Sequence, residues 1–154
     1  MIRDSNLGYD KPLFILPFDH RSSFFLMFGY KEPLTPAQTK AMCDAKWLVY
    51  EGFKKAVAEA EPPKAYGAIL VDEQLGDAIH RDAQPAGYIT ILTIEKSGQD
   101  EFDFEYGGQF GEHIEKYRPT FAKALIRYNP EGDRELNSRQ RKRLKILSDY
   151  CHQN

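Results

Sequence analysis

The chain of 154 residues contains little of what marks secreted, metal-binding or membrane proteins. Its two cysteines, Cys43 and Cys151, lie far apart and form no CxxC pair, so the sequence predicts no disulfide framework and no zinc or redox motif. The first apolar run, residues 12–18, is too short for a signal or membrane segment. We therefore expect reduced thiols and a cytoplasmic location.

The sequence also lacks an excess of charge of either sign. The 21 Lys and Arg residues are balanced by 23 Asp and Glu residues, which gives a net charge of -2. Nucleic acids and anionic membranes select strongly basic surfaces, so we expect neither as a partner. A basic run at residues 139–145 is typical of the solvated face of a helix in an acidic protein.

The dominant pattern is an apolar, β-rich run followed by a helical stretch, repeated four times. The predicted strands are residues 12–20, 67–72, 88–96 and 121–127. Their nearly continuous apolar character is typical of parallel strands covered on both faces. Alternating strands and helices predict an α/β fold, and right-handed crossovers favour adjacent strands in sequential order.

The intervening segments carry helix signals. The segment Thr35-Pro36-Ala37-Gln38 is a capping box with proline at the first helical position. A stripe at helical spacing follows and is stopped by residues 61–63; its members are Met42, Ala45, Leu48, Val49, Phe53, Ala56 and Val57. Shorter helices are expected after Asp72, with apolar Leu75, Ala78 and Ile79, and over residues 111–117. The last helix is expected from about Ser138, with Leu144, Leu147 and Cys151 on one face.

Polar or charged side chains end every predicted strand. The four ends are Asp19-His20-Arg21, Asp72-Glu73, Glu95-Lys96 and Arg127-Tyr128-Asn129. In parallel α/β folds ligands bind at the carboxyl ends of the strands. Helix capping explains a single polar strand end as well as a ligand-binding site does. Four such ends together favour a ligand-binding site.

At these residues the chain resembles a known family. The motifs are Phe18-Asp19-His20-Arg21, Leu70 to Gly76, Glu95-Lys96-Ser97-Gly98, Ala122-Lys123-Ala124-Leu125 and residues 132–137. They are similar to the class I aldolases that include tagatose-bisphosphate aldolase. The closest branch is the 5-dehydro-2-deoxyphosphogluconate aldolase type of inositol catabolism.

The resemblance implies a (β/α)8 TIM barrel, of which residues 1–154 are expected to be a single partial domain with the first four βα units. It implies a carbon–carbon lyase that acts on a ketose or keto-sugar phosphate through an imine and needs no cofactor. The imine-forming lysine is expected on the sixth strand and a catalytic glutamate on the fifth, outside these four units. Independent catalysis by this half-barrel is therefore not expected.

Lys123 and Asp19 are the predicted catalytic residues. Lysine is rare inside an apolar strand, and an imine-forming amine needs a depressed pKa. By resemblance Lys123 is an assisting lysine that binds substrate oxygens, whereas Asp19 bonds substrate hydroxyls or orients Lys123. The alternative is that a carboxylate such as Asp72 or Glu95 simply neutralises Lys123.

Five further residues are predicted to bind substrate: His20, Arg21, Asp72, Glu95 and Lys96. Arg21 is expected to bind phosphate or to pair with Glu32. Asp72 and Glu95 are acid/base groups or partners in ion pairs with Lys96 and Lys123. The histidines and carboxylates show no metal-ligand spacing, so no metal is predicted.

Other functions and assemblies stay open at this point. The first alternative is a non-catalytic half-barrel that binds sugar phosphate or a partner protein. A minor one is a complete flavodoxin-like domain, which an interleaved strand order would reveal. Because a half-barrel leaves two sheet edges open, we expect a homo-oligomer or a complementary half-barrel chain as partner.

Overall fold

The computed structural model describes residues 9–59 and 64–154. The elements, in chain order, are β1 (Phe14–Pro17), α1 (Ser22–Met27), α2 (Pro36–Glu59), β2 (Gly67–Val71), α3 (Glu73–Ala83), β3 (Ile89–Thr93), α4 (Phe110–Tyr117), β4 (Phe121–Lys123) and α5 (Arg134–Gln153). Short 3₁₀ turns at Lys64–Tyr66 and Gly107–Gln109 precede β2 and α4.

The four strands form one parallel sheet in the order β1-β2-β3-β4. The predicted α/β class and sequential strand order are therefore confirmed. The minor alternative, a flavodoxin-like sheet with an interleaved strand order, is therefore wrong for these strands. The strands are shorter than the predicted runs, which also include residues of the adjoining turns.

The sheet packs its helices against one face. Leu16, Ile69 and Val71 contact a cluster with α2 and α3 side chains, and Leu92 and Ala122 contact a second cluster with α4 and α5. These strand residues share a face, because Leu16 is the register partner of Ile69, and Leu92 that of both Val71 and Ala122. The third cluster contains no strand residue. Within the described residues, the apolar clusters that join strands to helices therefore use this one face.

The other face explains why the strands looked continuously apolar. It carries Pro17, Leu70, Ile91 and Phe121, which are consecutive register partners across the sheet. These side chains meet one another across neighbouring strands. An apolar inner face and an apolar helix-covered face give the same sequence pattern.

Helix α2 begins at its predicted capping box. The Gln38 amide donates to Thr35 Oγ1 (3.3 Å), and Thr35 N donates back to Gln38 Oε1 (2.9 Å). The predicted stripe is partly wrong: Leu48 is 74% exposed, Val49 and Ala56 are exposed, and the buried residues are Met42, Lys46, Tyr50 and Phe53. The predicted stop at residues 61–63 lies outside the described residues.

Helix α5 begins four residues earlier than predicted. Asp133 caps it by accepting bonds from the amides of Glu135 (2.8 Å) and Leu136 (3.1 Å). Its buried residues are Asn137, Gln140 and Leu147, whereas Leu144 and Cys151 are exposed. The expected apolar face is wrong at those two positions, because polar Asn137 and Gln140 point inward to bond loop backbone. In α3, Ala78 is likewise exposed.

Candidate functional site

Lys123 lies at the carboxyl end of the sheet between two carboxylates. Its Nζ donates to Asp19 Oδ2 (2.8 Å) and to Glu95 Oε1 (2.5 Å). Thr93 Oγ1 also donates to Asp19 Oδ2 (3.1 Å). The structure thus brings together the ends of β1, β3 and β4. The Lys123 side chain is 26% exposed, so one side of the ammonium remains open to solvent.

The charges of this site stabilise one another. Burial acts to lower the pKa of Lys123, but the hydrogen bonds that it donates to Asp19 and Glu95 outweigh this effect and the net pKa is raised. Burial acts to raise the pKa of Asp19, but the bond and charge of Lys123 outweigh it and the net pKa is lowered. At neutral pH Lys123 is therefore an ammonium that donates hydrogen bonds, and not a free amine.

Asp72 does not join this cluster, although it directly follows β2. Its side chain is 1% exposed and pairs with the equally buried Lys46 of α2. Its other oxygen caps α3 by accepting the Leu75 amide (2.9 Å). The expected pairing of Asp72 with Lys96 or Lys123 is wrong, because Lys46 occupies this carboxylate.

Lys46 is the buried charge that sequence reasoning missed. Burial lowers its pKa despite the neighbouring Asp72, and Nζ lies 5.6 Å from the ring centre of Phe24. A signal was present in its spacing, since Lys46 lies four residues from both Met42 and Tyr50 on the buried face of α2.

Arg21 is 7% exposed and contacts the loop that follows β3. Its Nη1 donates to Glu105 Oε2 (2.8 Å) and its Nη2 to the Glu95 carbonyl (2.7 Å). The expected ion pair between Arg21 and Glu32 is therefore wrong. The sequence did not single out Glu105 as the partner of Arg21, because several acidic residues alternate with aromatic ones in this loop.

Above Lys123 opens a cavity of ≈ 350 Å³. His20 and Lys96 are both exposed at its mouth, and Lys96 lies 3.7 Å from Asp103. Ser22 Oγ and Ser97 Oγ are hydrogen-bonded (2.8 Å) and join two sides of the wall. The remaining lining includes Ser23, Gly98, Gln99, Glu101, Phe102, Leu125 and Arg127.

The loop at residues 95–106 packs firmly against α5. Phe102 and Phe104 are buried, and the Phe102 amide donates to the fully buried Gln140 (2.9 Å). Gln140 in turn donates to the Arg127 carbonyl (2.9 Å). Arg139 and Arg143, from the basic run, both pair with Glu101. Part of that run therefore fastens one wall of the cavity.

Among residues 9–59 and 64–154, no group of three His, Cys, Asp or Glu side chains is placed to hold a metal ion. In the same ranges, no helix is both long and apolar enough to cross a membrane.

Comparisons with known proteins place the chain in a family without naming a reaction. Neither curated proteins nor solved structures gave a match. A family model described as "Uncharacterized protein conserved in bacteria (DUF2090)" matches residues 5–154. The chain belongs to this family.

Proposed function

We propose that this chain is the sugar-phosphate-binding half of a class I aldolase-type barrel. The reaction is carbon–carbon bond cleavage of a ketose or keto-sugar phosphate, in cytoplasmic inositol or related sugar catabolism. One observation carries the proposal: Lys123 lies between Asp19 and Glu95 at the carboxyl end of a parallel sheet. Ligands of such sheets bind at that end.

The arrangement suits a polyhydroxylated keto compound. An ammonium has three N–H donors, and Lys123 uses two of them on carboxylates. The third is available to a carbonyl or hydroxyl oxygen that enters the cavity. Asp19, its pKa lowered by Lys123, stays ionised and accepts bonds from substrate hydroxyls. Exposed His20 and Lys96 are positioned to contact the more distant atoms.

The sheet supports the barrel assignment. In a doubly wound sheet helices cover both faces, whereas in a barrel they cover the outer face and the strands stay in sequential order. The described strands run in sequential order, and the apolar clusters with the helices use one face. A half-barrel requires a partner at β1 and β4. Consistent with this, Phe14 and Ile15 of β1 are 56% and 45% exposed and Leu125 beyond β4 is 54% exposed.

The raised pKa of Lys123 supports an assisting role for this residue. An amine forms an imine only in its neutral form, and two carboxylates keep Lys123 charged. We therefore assign the imine to a lysine outside the four units, as the resemblance implies. The same observation favours the alternative function, a non-catalytic half-barrel that binds sugar phosphate.

The proposal is tested by calorimetric titration with dihydroxyacetone phosphate. We expect Lys123→Met to weaken binding about tenfold or more, because one charge-assisted hydrogen bond is lost. The matched control is Lys145→Met on α5, which removes an equally long, exposed side chain and should leave binding unchanged. Absence of binding by the wild-type chain, or equal binding by Lys123→Met, would refute the proposal.

Borohydride trapping separates a catalytic lysine from an assisting one. With dihydroxyacetone phosphate and borohydride we expect no stoichiometric adduct on Lys123, as judged by mass spectrometry of peptides. A stoichiometric adduct there would make Lys123 the imine-forming residue and would contradict its assisting role.

A further inference from the structure

Arg21 connects the ends of two strands that are not neighbours. It lies in the turn between β1 and α1 and is 7% exposed. Its bonds reach Glu95 and Glu105, at the two ends of the loop that follows β3. Because β2 lies between β1 and β3, the guanidinium spans the carboxyl end of the sheet beside the candidate site.

Glu95 has few contacts to fix its carboxylate. Oε1 accepts the bond from Lys123 (2.5 Å), whereas Oε2 is buried and has no hydrogen-bond partner among the residues that the structure describes. Moving towards water lowers the free energy of a buried carboxylate that accepts only one hydrogen bond. Another contact must therefore hold Glu95 in place. Arg21 supplies it, because Nη2 donates to the Glu95 carbonyl (2.7 Å) and lies 3.9 Å from Oε1.

The loop backbone holds the same residue from its other side. Glu95 forms an isolated antiparallel bridge with Phe104, and the Glu105 amide donates to the Ile94 carbonyl (2.9 Å). Arg21 Nη1 bonds the Glu105 carboxylate (2.8 Å). One guanidinium thus fixes both sides of the narrow base of this loop.

We propose that Arg21 is a positioning residue, whose two-pronged guanidinium holds Glu95 so that its carboxylate meets Lys123. The functional meaning of this role rests on the proposed function, but the contact does not. Arginine suits the role because its planar fork reaches two acceptors at once, whereas a lysine is a point donor. Arg21 serves a bound substrate through Glu95 and Lys123, and not by direct contact with phosphate.

The test is the NMR signal of the Lys123 ammonium group near neutral pH, where hydrogen bonds are needed to slow its proton exchange with water enough for the signal to be visible. The signal is assigned by its absence from Lys123→Gln. We expect it in the wild-type chain and expect its loss in Arg21→Gln, because Glu95 is then free to turn away. The buried Lys46 ammonium, bonded to Asp72 and not to Arg21, is the internal control and should persist.

Arg21→Lys keeps the positive charge but removes the planar fork of the guanidinium. This variant tests the positioning role if Arg21→Gln does not fold. We expect the Lys123 signal to be lost in this variant as well. A persistent Lys123 signal in either folded variant would overturn the proposal, and so would loss of both lysine signals, which indicates general loosening.

This measurement uses no ligand, so its outcome is independent of the proposed function. If dihydroxyacetone phosphate fails to bind but the Lys123 signal depends on Arg21, only the proposed function falls. If the ligand binds and the signal survives in Arg21→Gln, only the positioning role falls.

Discussion

Removal of the buried Lys46 ammonium is expected to destabilise the fold strongly. Both Lys46 and Asp72 are 1% exposed, so Lys46→Met leaves a carboxylate inside the protein with no opposite charge. Breaking a buried ion pair from one side costs about 3–5 kcal/mol. In urea, with a slope of about 2 kcal/mol per molar, this moves the unfolding midpoint down by about 1.5–2.5 M.

A second substitution separates the cost of the orphaned charge from the loss of packing. Lys46→Met combined with Asp72→Asn leaves no buried charge, and asparagine caps a helix as well as aspartate does. We expect the double variant to regain most of the lost stability.

The matched control is Lys55→Met on the exposed side of the same helix, which should change stability by less than about 0.5 kcal/mol. The assay is urea unfolding followed by circular dichroism. A Lys46→Met variant within about 1 kcal/mol of wild type, or a double variant as unstable as the single one, would refute this account of the pair.

Three further predictions concern stability and assembly. Burial lowers the pKa of His80, so the unfolded state binds more protons than the folded state, and the free energy of unfolding should fall as the pH drops below about 6.5. This pH dependence of stability should be weaker in His80→Gln but unchanged in a variant of the exposed His152. A Cβ on Gly76 would lie 2.4 Å from Val71 Cγ2, whereas one on Gly52 would meet no atom of the described residues within 4 Å. Gly76→Ala should therefore cost about 1–3 kcal/mol, and Gly52→Ala should gain about 0.5–1 kcal/mol in chemical denaturation. Because no further strand pairs with β1 or β4 within residues 9–59 and 64–154, light scattering at low micromolar concentration should show a dimer or larger assembly. A monodisperse, cooperatively melting monomer would contradict the proposed half-barrel.

The order of the strands was predictable because each strand is a separate apolar run followed by helix signals. The start of α2 was predictable for a local reason as well, since Thr35 and Gln38 form both bonds of the capping box. The side on which the helices pack was not predictable. An apolar inner face and a helix-covered face contribute the same residue types, so the alternation that separates a covered face from a solvent face is lost.

The candidate site was partly predictable from the order of the strands. Asp19 and Glu95 lie just beyond the ends of β1 and β3, Lys123 ends β4, and parallel strands bring such ends to one edge. The partner of Asp72 was not, because Lys46 lies on a helix 26 residues away and lysine is normally exposed. The polar inward face of α5 was missed similarly, since Gln140 is buried to satisfy loop backbone that no local pattern reveals.

The central claim is that Lys123, held between Asp19 and Glu95, receives an oxygen of a keto-sugar phosphate. A crystal structure of the chain with dihydroxyacetone phosphate tests it most directly. We expect the ligand in the cavity at the carboxyl end of the sheet, with a carbonyl or hydroxyl oxygen within about 3 Å of Lys123 Nζ. A ligand bound elsewhere, such as on the exposed Arg141 and Lys142 of α5, with no contact to Lys123, would contradict the claim.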